Sequence, residues 1–224
     1  MSQANHVIAD PPPTSGGAPE ELAARLASKL CHDFISPAGA IVSGLDLLDD
    51  PTAKDMREEA MELIASSARK LVDLLAFDRV AYGAAGGAEI FDCAELKRLT
   101  LAVYTHVRAE LDWAAAPPVL PKAAARVLVN LAQIAAGALP LGGTARIEAR
   151  SEGDGHVIEV AAKGPKARLQ VEVVAGLAGQ PLSEGLGGRW VQAYYAHAVA
   201  AGAGGWIEAA ATDELVTLRA RIPA

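Results

Sequence analysis

Two long amphipathic segments joined by Asp49-Asp50-Pro51-Thr52 constrain this 224-residue chain more than any other feature in it. In the first, Leu22, Leu26, Leu30, Phe34, Ile41, Leu45 and Leu48 recur at helical spacing and mark one apolar stripe. Pro19-Glu20-Glu21 is a helix start, with acids set against the positive end of the dipole, and Asp49-Asp50-Pro51 is a stop. The second segment runs from about Ala53 to Tyr82 with Thr52 as its N-cap. Its stripe is Met56, Ala60, Leu63 with Ile64, Ser67, Leu71, Leu74 or Leu75, and Phe77. Each helix would reach roughly 40–45 Å at about 1.5 Å per residue. So short a connection predicts an antiparallel hairpin. One hairpin alone leaves apolar surface wet, which predicts a homodimer closed into a four-helix bundle.

The flanks have a different character. Residues 1–18, with Pro11-Pro12-Pro13 and Ser15-Gly16-Gly17, read as a flexible tail containing an inert His6. Residues 19–83 are the hairpin, and the small-residue run 84–88 reads as a linker. Residues 89–224 mix both periods and predict an α+β domain. Strands are expected at Glu89-Ile90-Phe91 and near Glu110 to Trp113, with a helix from Asp92 as cap through about Val103. A helix from Pro121 to Leu139 follows, then a hairpin of Thr144 to Arg150 with His156 to Ala162. A helix from Leu186 to Ala201 and strands at Trp206 to Ala210 and Glu214 to Ile222 finish the chain. Residues 166–184 hold only a short strand-like piece and Gly176 to Gln180.

Hydrophobic residues make up 51% of the chain, enough for a sizeable core, but aromatics only 4%. That core must therefore be built from Ala, Leu, Val and Ile. The net charge of -7 and the lack of a dense basic block argue against nucleic-acid binding. Charged residues interrupt every long apolar run, so no membrane span is expected and the chain reads as cytoplasmic. Cys31 and Cys93 are too few for a disulfide framework or a metal cluster and read as small buried side chains.

The segment that carries chemistry is His32-Asp33-Phe34-Ile35-Ser36-Pro37. Pro37 removes a backbone donor and displaces the carbonyl of Asp33, which predicts a bend just past the histidine. Phe34 belongs to the apolar stripe, and two residues are about 200° around a helix, so His32 points outward. Arg25, Ser28, Lys29 and Ser36 fall on the same face by spacing and would surround the imidazole with donors and cations. Neutral imidazole is a nucleophile near neutral pH, and its phosphoramidate is labile enough to give the group up. Asp33 is placed to accept a hydrogen bond from the other ring nitrogen, which fixes the tautomer and raises basicity. His106, His156 and His197 lack such a pattern, and His197 reads as packed.

These residues resemble the phosphoacceptor box of two-component sensor kinases: His, an acid, apolar, any, Ser/Thr/Asn, Pro. In that family the box lies in the first helix of a dimerising hairpin. The second domain resembles the kinases' ATP-binding α/β sandwich in degenerate form. Asn130-Leu131-Ala132-Gln133-Ile134-Ala135 is similar to the Asn box, with Ile134 in place of the magnesium-holding asparagine. Val160-Ala161-Ala162-Lys163-Gly164-Pro165-Lys166 is similar to Val-x-Asp-x-Gly-x-Gly, with Ala162 for the adenine-reading aspartate and Lys166 for the second glycine. Gly185-Leu186-Gly187-Gly188 keeps the glycine-rich box and reads as a tight turn. Gly202-Ala203-Gly204-Gly205 matches the family's ending.

A phosphoacceptor hairpin joined to a decayed ATPase domain resembles the alphaproteobacterial histidine phosphotransferases, from about residue 20 to the end. The resemblance implies a phosphorelay protein with His32 as phosphoacceptor, Asp33 orienting or activating it, and Arg25, Ser28, Lys29, Ser36 and Pro37 on the receiver-contact face. It implies a CckA-like hybrid-kinase receiver as donor and CtrA-like and CpdR-like response regulators as acceptors. No cofactor or metal of its own is expected, because magnesium arrives with the receiver. Two alternatives remain at this level: an ATP-dependent sensor histidine kinase fragment and a non-catalytic receiver-docking module.

Overall fold

The computed structural model describes residues 19–83, 89–180 and 188–224; the expected tail, the linker 84–88 and Gly185 to Gly187 lie outside these. Helix α1 (Pro19–Asp49) runs unbroken through Pro37. It packs against α2 (Arg57–Ala81) as an antiparallel pair, with Gly44 against Ala60 and Ile64 at one end and Lys29 over Tyr82 at the other. A Cβ on Gly44 would sit 2.6 Å from Ile64 Cγ1 and 3.1 Å from the Ala60 carbonyl oxygen. Only glycine lets the helices approach this closely.

Two expectations for the hairpin are corrected. Thr52 does not cap the second helix: its N–H and hydroxyl both donate to Asp50 Oδ1, at 2.8 and 2.7 Å. This Asx turn leads into a 3-10 turn at Lys54–Met56, so α2 begins later than its apolar pattern suggests. The apolar stripe of α1 is also not its most buried face. Lys29, Pro37 and Gly44 are buried, whereas Leu22, Leu26, Leu30 and Phe34 are half-buried and Leu45 is 49% exposed. A close seam of small residues uses up only the centre of the hairpin and leaves the leucines at its margin.

The rest is a two-layer α+β unit. In chain order it contains β1 (Ile90–Asp92), α3 (Cys93–Tyr104), β2 (Ala109–Ala115), β3 (Val119–Pro121), α4 (Lys122–Gly137), β4 (Gly143–Glu152), β5 (Gly155–Lys163), α5 (Val171–Leu177), α6 (Gly188–Gly202), β6 (Trp206–Thr212) and β7 (Leu215–Pro223). Strands order as β2-β4-β5-β7-β6, parallel between β2 and β4 and antiparallel elsewhere, while β1 pairs with β3. Asp92 caps α3, its Oδ1 accepting from the Ala94 N–H at 2.7 Å. Gly153, at φ +63°, turns the β4–β5 hairpin. Ile147, Ile158, Val160, Leu218 and Ile222 bury one sheet face against the helices.

The strand-like piece expected within 166–184 is instead the helix α5. Val171, Val173 and Val174 carry β propensity, but burial of Val173 and Leu177 beside α6 overrides it. Strand β3 was not legible because its partner lies outside its own neighbourhood in sequence.

Hairpin and sheet layer share one core. Phe77, Val80 and Ala81 of α2 cluster with Leu96, Leu99, Leu128 and Leu131. Arg126 donates to the Gly83 carbonyl, and Asn130 Nδ2 donates to the Ala81 carbonyl at 3.4 Å. Two carbonyls at the end of α2 are thereby satisfied by side chains of α4.

Candidate functional site

Position on α1 puts His32 in solvent, with 86% of its side chain exposed. Its Nδ1 lies 3.2 Å from Asp33 Oδ1. Asp33 Oδ2 accepts from Lys29 Nζ at 2.6 Å. Lys29 is only 8% exposed, and its ammonium sits 5.4 Å from the centre of the Tyr82 ring. A chain of contacts thus runs from the interior to the surface: Tyr82, Lys29, Asp33, His32. With the proton on Nδ1 the ring donates to Asp33, and Nε2 turns its lone pair outward.

The expected ring of donors is only partly present. Ser28 and Ser36 are exposed one turn either side of His32. Arg25 lies two turns back and is paired with Glu21 at 2.6 Å. Lys29 and Pro37 do not belong to this outer face; both are buried. For Lys29 the reason is its place three residues after Leu26, on the inner side, where its ammonium lies over the Tyr82 ring and meets Asp33. Cys31 is exposed beside His32, against the expectation that both cysteines are buried. Cys93 is buried, and burial together with Asp92 pushes its thiol up to about 11.

Sequence reasoning missed the layer behind. Asp78 is 5% exposed, and neither carboxylate oxygen has a hydrogen-bond partner among the described residues. Burial pushes its carboxyl up to about 6; Lys29 pulls against this, and the Asp33 charge adds to it. The Tyr82 hydroxyl is likewise buried without a partner among the described residues. Burial, then Asp78, Asp33 and Tyr195, raise its phenol well above the ordinary value. Tyr195 of α6 meets the Tyr82 ring edge-on, with centres 5.3 Å apart. A signal existed: Asp78 continues the stripe of Leu71 and Leu74 towards Ala81, an acid at an apolar position.

The nucleotide-like boxes are built into the scaffold. Asn130 is fully buried and spends its amide on the carbonyls of Arg126 (2.9 Å) and Ala81. Ile134 and Ala162 are core residues. Lys166 holds φ +56°, the left-handed conformation that favours the glycine of the family box. Gly164 is required by the close approach of the Gly142 carbonyl, not by a ligand. Among the histidines, His197 Nδ1 donates to the Leu177 carbonyl at 3.0 Å and packs as expected. His106 instead bridges to the hairpin, with Nε2 2.8 Å from Asp73 Oδ2.

Comparison with known proteins identifies the family. A family model described as histidine phosphotransferase C-terminal domain matches residues 93–215. The protein phosphotransferase ChpT of Brucella abortus (strain 2308) is 34% identical over 201 residues, which span 89% of this chain and 95% of that protein. A solved structure of a bacterial phosphotransferase superposes with a TM-score of 0.81 at 32% identity, covering 91% of this chain and 97% of that one.

Proposed function

This chain belongs to the histidine phosphotransferase family, and on that footing we propose that it relays a phosphoryl group through His32. The observation that carries the reading is an exposed imidazole whose Nδ1 is held by Asp33, itself held by the buried Lys29. Nε2 attacks the phosphorus of an aspartyl phosphate on a receiver domain. The N–P bond forms as the P–O bond to the receiver aspartate breaks, and that aspartate leaves as a carboxylate. The ring keeps its Nδ1 proton, so the phosphorylated imidazole is cationic, and the Asp33 carboxylate offsets that charge. In the return step the N–P bond breaks towards the aspartate of a second receiver, and the electron pair goes back to Nε2.

On this reading a CckA-like hybrid-kinase receiver is the donor, and CtrA-like and CpdR-like response regulators are the acceptors, all in the cytoplasm. The receiver brings the magnesium. ATP plays no part, a view supported by Ile134 and Ala162 lying in the core. The working unit is a homodimer. Val42 and Leu45 on α1 and Met61 and Leu63 on α2 are between 36% and 56% exposed, and a second hairpin would cover them.

The decisive experiment incubates the chain with a radiolabelled phosphorylated receiver. Wild type should take up label and pass it to a second receiver, while His32→Ala should take up none yet keep the same fold and mass. Wild type that binds receivers but takes up no label would leave only the docking module. Micromolar ATP binding by calorimetry would restore the kinase alternative.

A further inference from the structure

We propose that Asp78 is a positioning residue for His32: its buried carboxylate acts through the field on the Lys29 ammonium that Asp33 binds, and so sets how strongly Asp33 holds the Nδ1 proton of the imidazole. The proposal rests on the relay reading of His32 and adds a residue to it. Asp78 is on the other helix of the hairpin and touches neither a phosphoryl group nor a receiver, so it acts through Lys29 and Asp33.

The packing brings these groups together. Lys29 reaches inward from α1 to lie over Tyr82, which is one turn beyond Asp78 on α2. The backbone N–H groups of Tyr82 and Gly83 are already spent on the Asp78 carbonyl, at 2.8 and 3.3 Å. The Asp78 carboxylate is therefore left to the field of its neighbours. Those neighbours are Lys29 and Asp33 from α1 and Tyr82 from its own helix; Tyr82 in turn meets Tyr195 of α6, which feels Arg126 of α4. Lys29 alone among the groups acting on Asp78 is a cation, and it bonds to Asp33. An ionised carboxylate buried without hydrogen bonds is costly. No helix cap and no loop among the described residues uses its oxygens, so a scaffolding role does not account for it.

The direction of the effect follows from charge. With Asp78 neutral, Lys29 serves Asp33 alone and neutralises it, so Asp33 is a weaker acceptor for Nδ1–H. With Asp78 ionised, a second negative charge acts on the ammonium without bonding to it, and less of its field is left to offset the charge of Asp33. Asp33 then holds the Nδ1 proton more firmly, keeps Nε2 as the free nucleophile and better stabilises the cationic phosphorylated ring. Burial places the Asp78 titration at about 6, in the range where imidazoles also titrate.

The test follows the His32 ring and the Asp78 carboxyl carbon by NMR in the full chain from about pH 5 to pH 8, where His chemistry operates. In wild type the His32 ring signals should show a second inflection coinciding with the Asp78 titration, and Asp78→Asn should abolish it. With a radiolabelled phosphorylated receiver, Asp78→Asn should take up label roughly three- to tenfold more slowly above that inflection, the effect of about half to one pK unit of coupling. A His32 titration identical in wild type and variant overturns the proposal, even where the variant melts at a different temperature. Should Asp78→Asn not fold, the wild-type titration decides: an Asp78 carboxyl that titrates without any response at His32 overturns the proposal equally. The NMR readout needs no phosphoryl transfer, so failure of the relay reading would show separately, as wild type that takes up no label.

Discussion

Lys29 and Asp33, one turn apart on α1, meet at 2.6 Å between Nζ and Oδ2 although the lysine is almost wholly buried. The pair converts a helix-surface histidine into an oriented one, because the same carboxylate receives His32 Nδ1 on its other oxygen.

Lys29→Met should therefore separate orientation from chemistry. Methionine fills the space of the methylenes but leaves two carboxylates, Asp33 and Asp78, without their cation. A loss of about 1–3 kcal/mol is expected in urea denaturation. Label uptake at His32 should fall in kcat while receiver binding persists.

Asp78 makes stability depend on pH with a definite sign. Its carboxyl titrates at about 6 in the fold against an ordinary 3.8, so the folded chain binds the proton more tightly. Stability from this group is full at low pH and is lost as pH rises from about 4 to about 6. Asp78→Asn has no such loss and should exceed wild type by up to about 3 kcal/mol near neutral pH. Its advantage should fade near pH 4, as measured by urea denaturation of both proteins at the two pH values.

Gly44→Val tests the helix crossing. The added Cβ would meet Ile64 Cγ1 at 2.6 Å with backbone just behind, so the seam has to open. About 1–3 kcal/mol of destabilisation is expected, read as a lower Tm by circular dichroism.

Arg126→Ala tests the grip of α4 on the end of α2. Loss of its bond to the Gly83 carbonyl should cost about 1–2 kcal/mol. Amide exchange of residues 78–83 should quicken more than that of α1, since these residues lose an anchor that α1 does not use.

The hairpin and the His32 box were legible in the chain because both are local. Helical periodicity over thirty residues needs no partner to be seen, and the acid that holds the imidazole is the next residue. The cap at Asp92 and the β4–β5 hairpin are legible for the same reason. Residue type misled where burial depends on a distant element. Lys29 reads as a surface cation until α2 lies across it, and Asp78, although it continues the stripe of Leu71 and Leu74, has no visible neighbours until α1 and α6 close over its end.

By itself, then, the sequence determined the two long helices of the hairpin, the outward histidine and its neighbouring acid, since each follows from spacing along one segment. Tertiary structure alone decided that Lys29 faces inward, that Asp78 stands behind it, and that Asn130 and Arg126 of α4 anchor the end of α2. Those features arise from low dielectric and orphan carbonyls at a junction of four helices, and such a junction has no signature in any one stretch of chain.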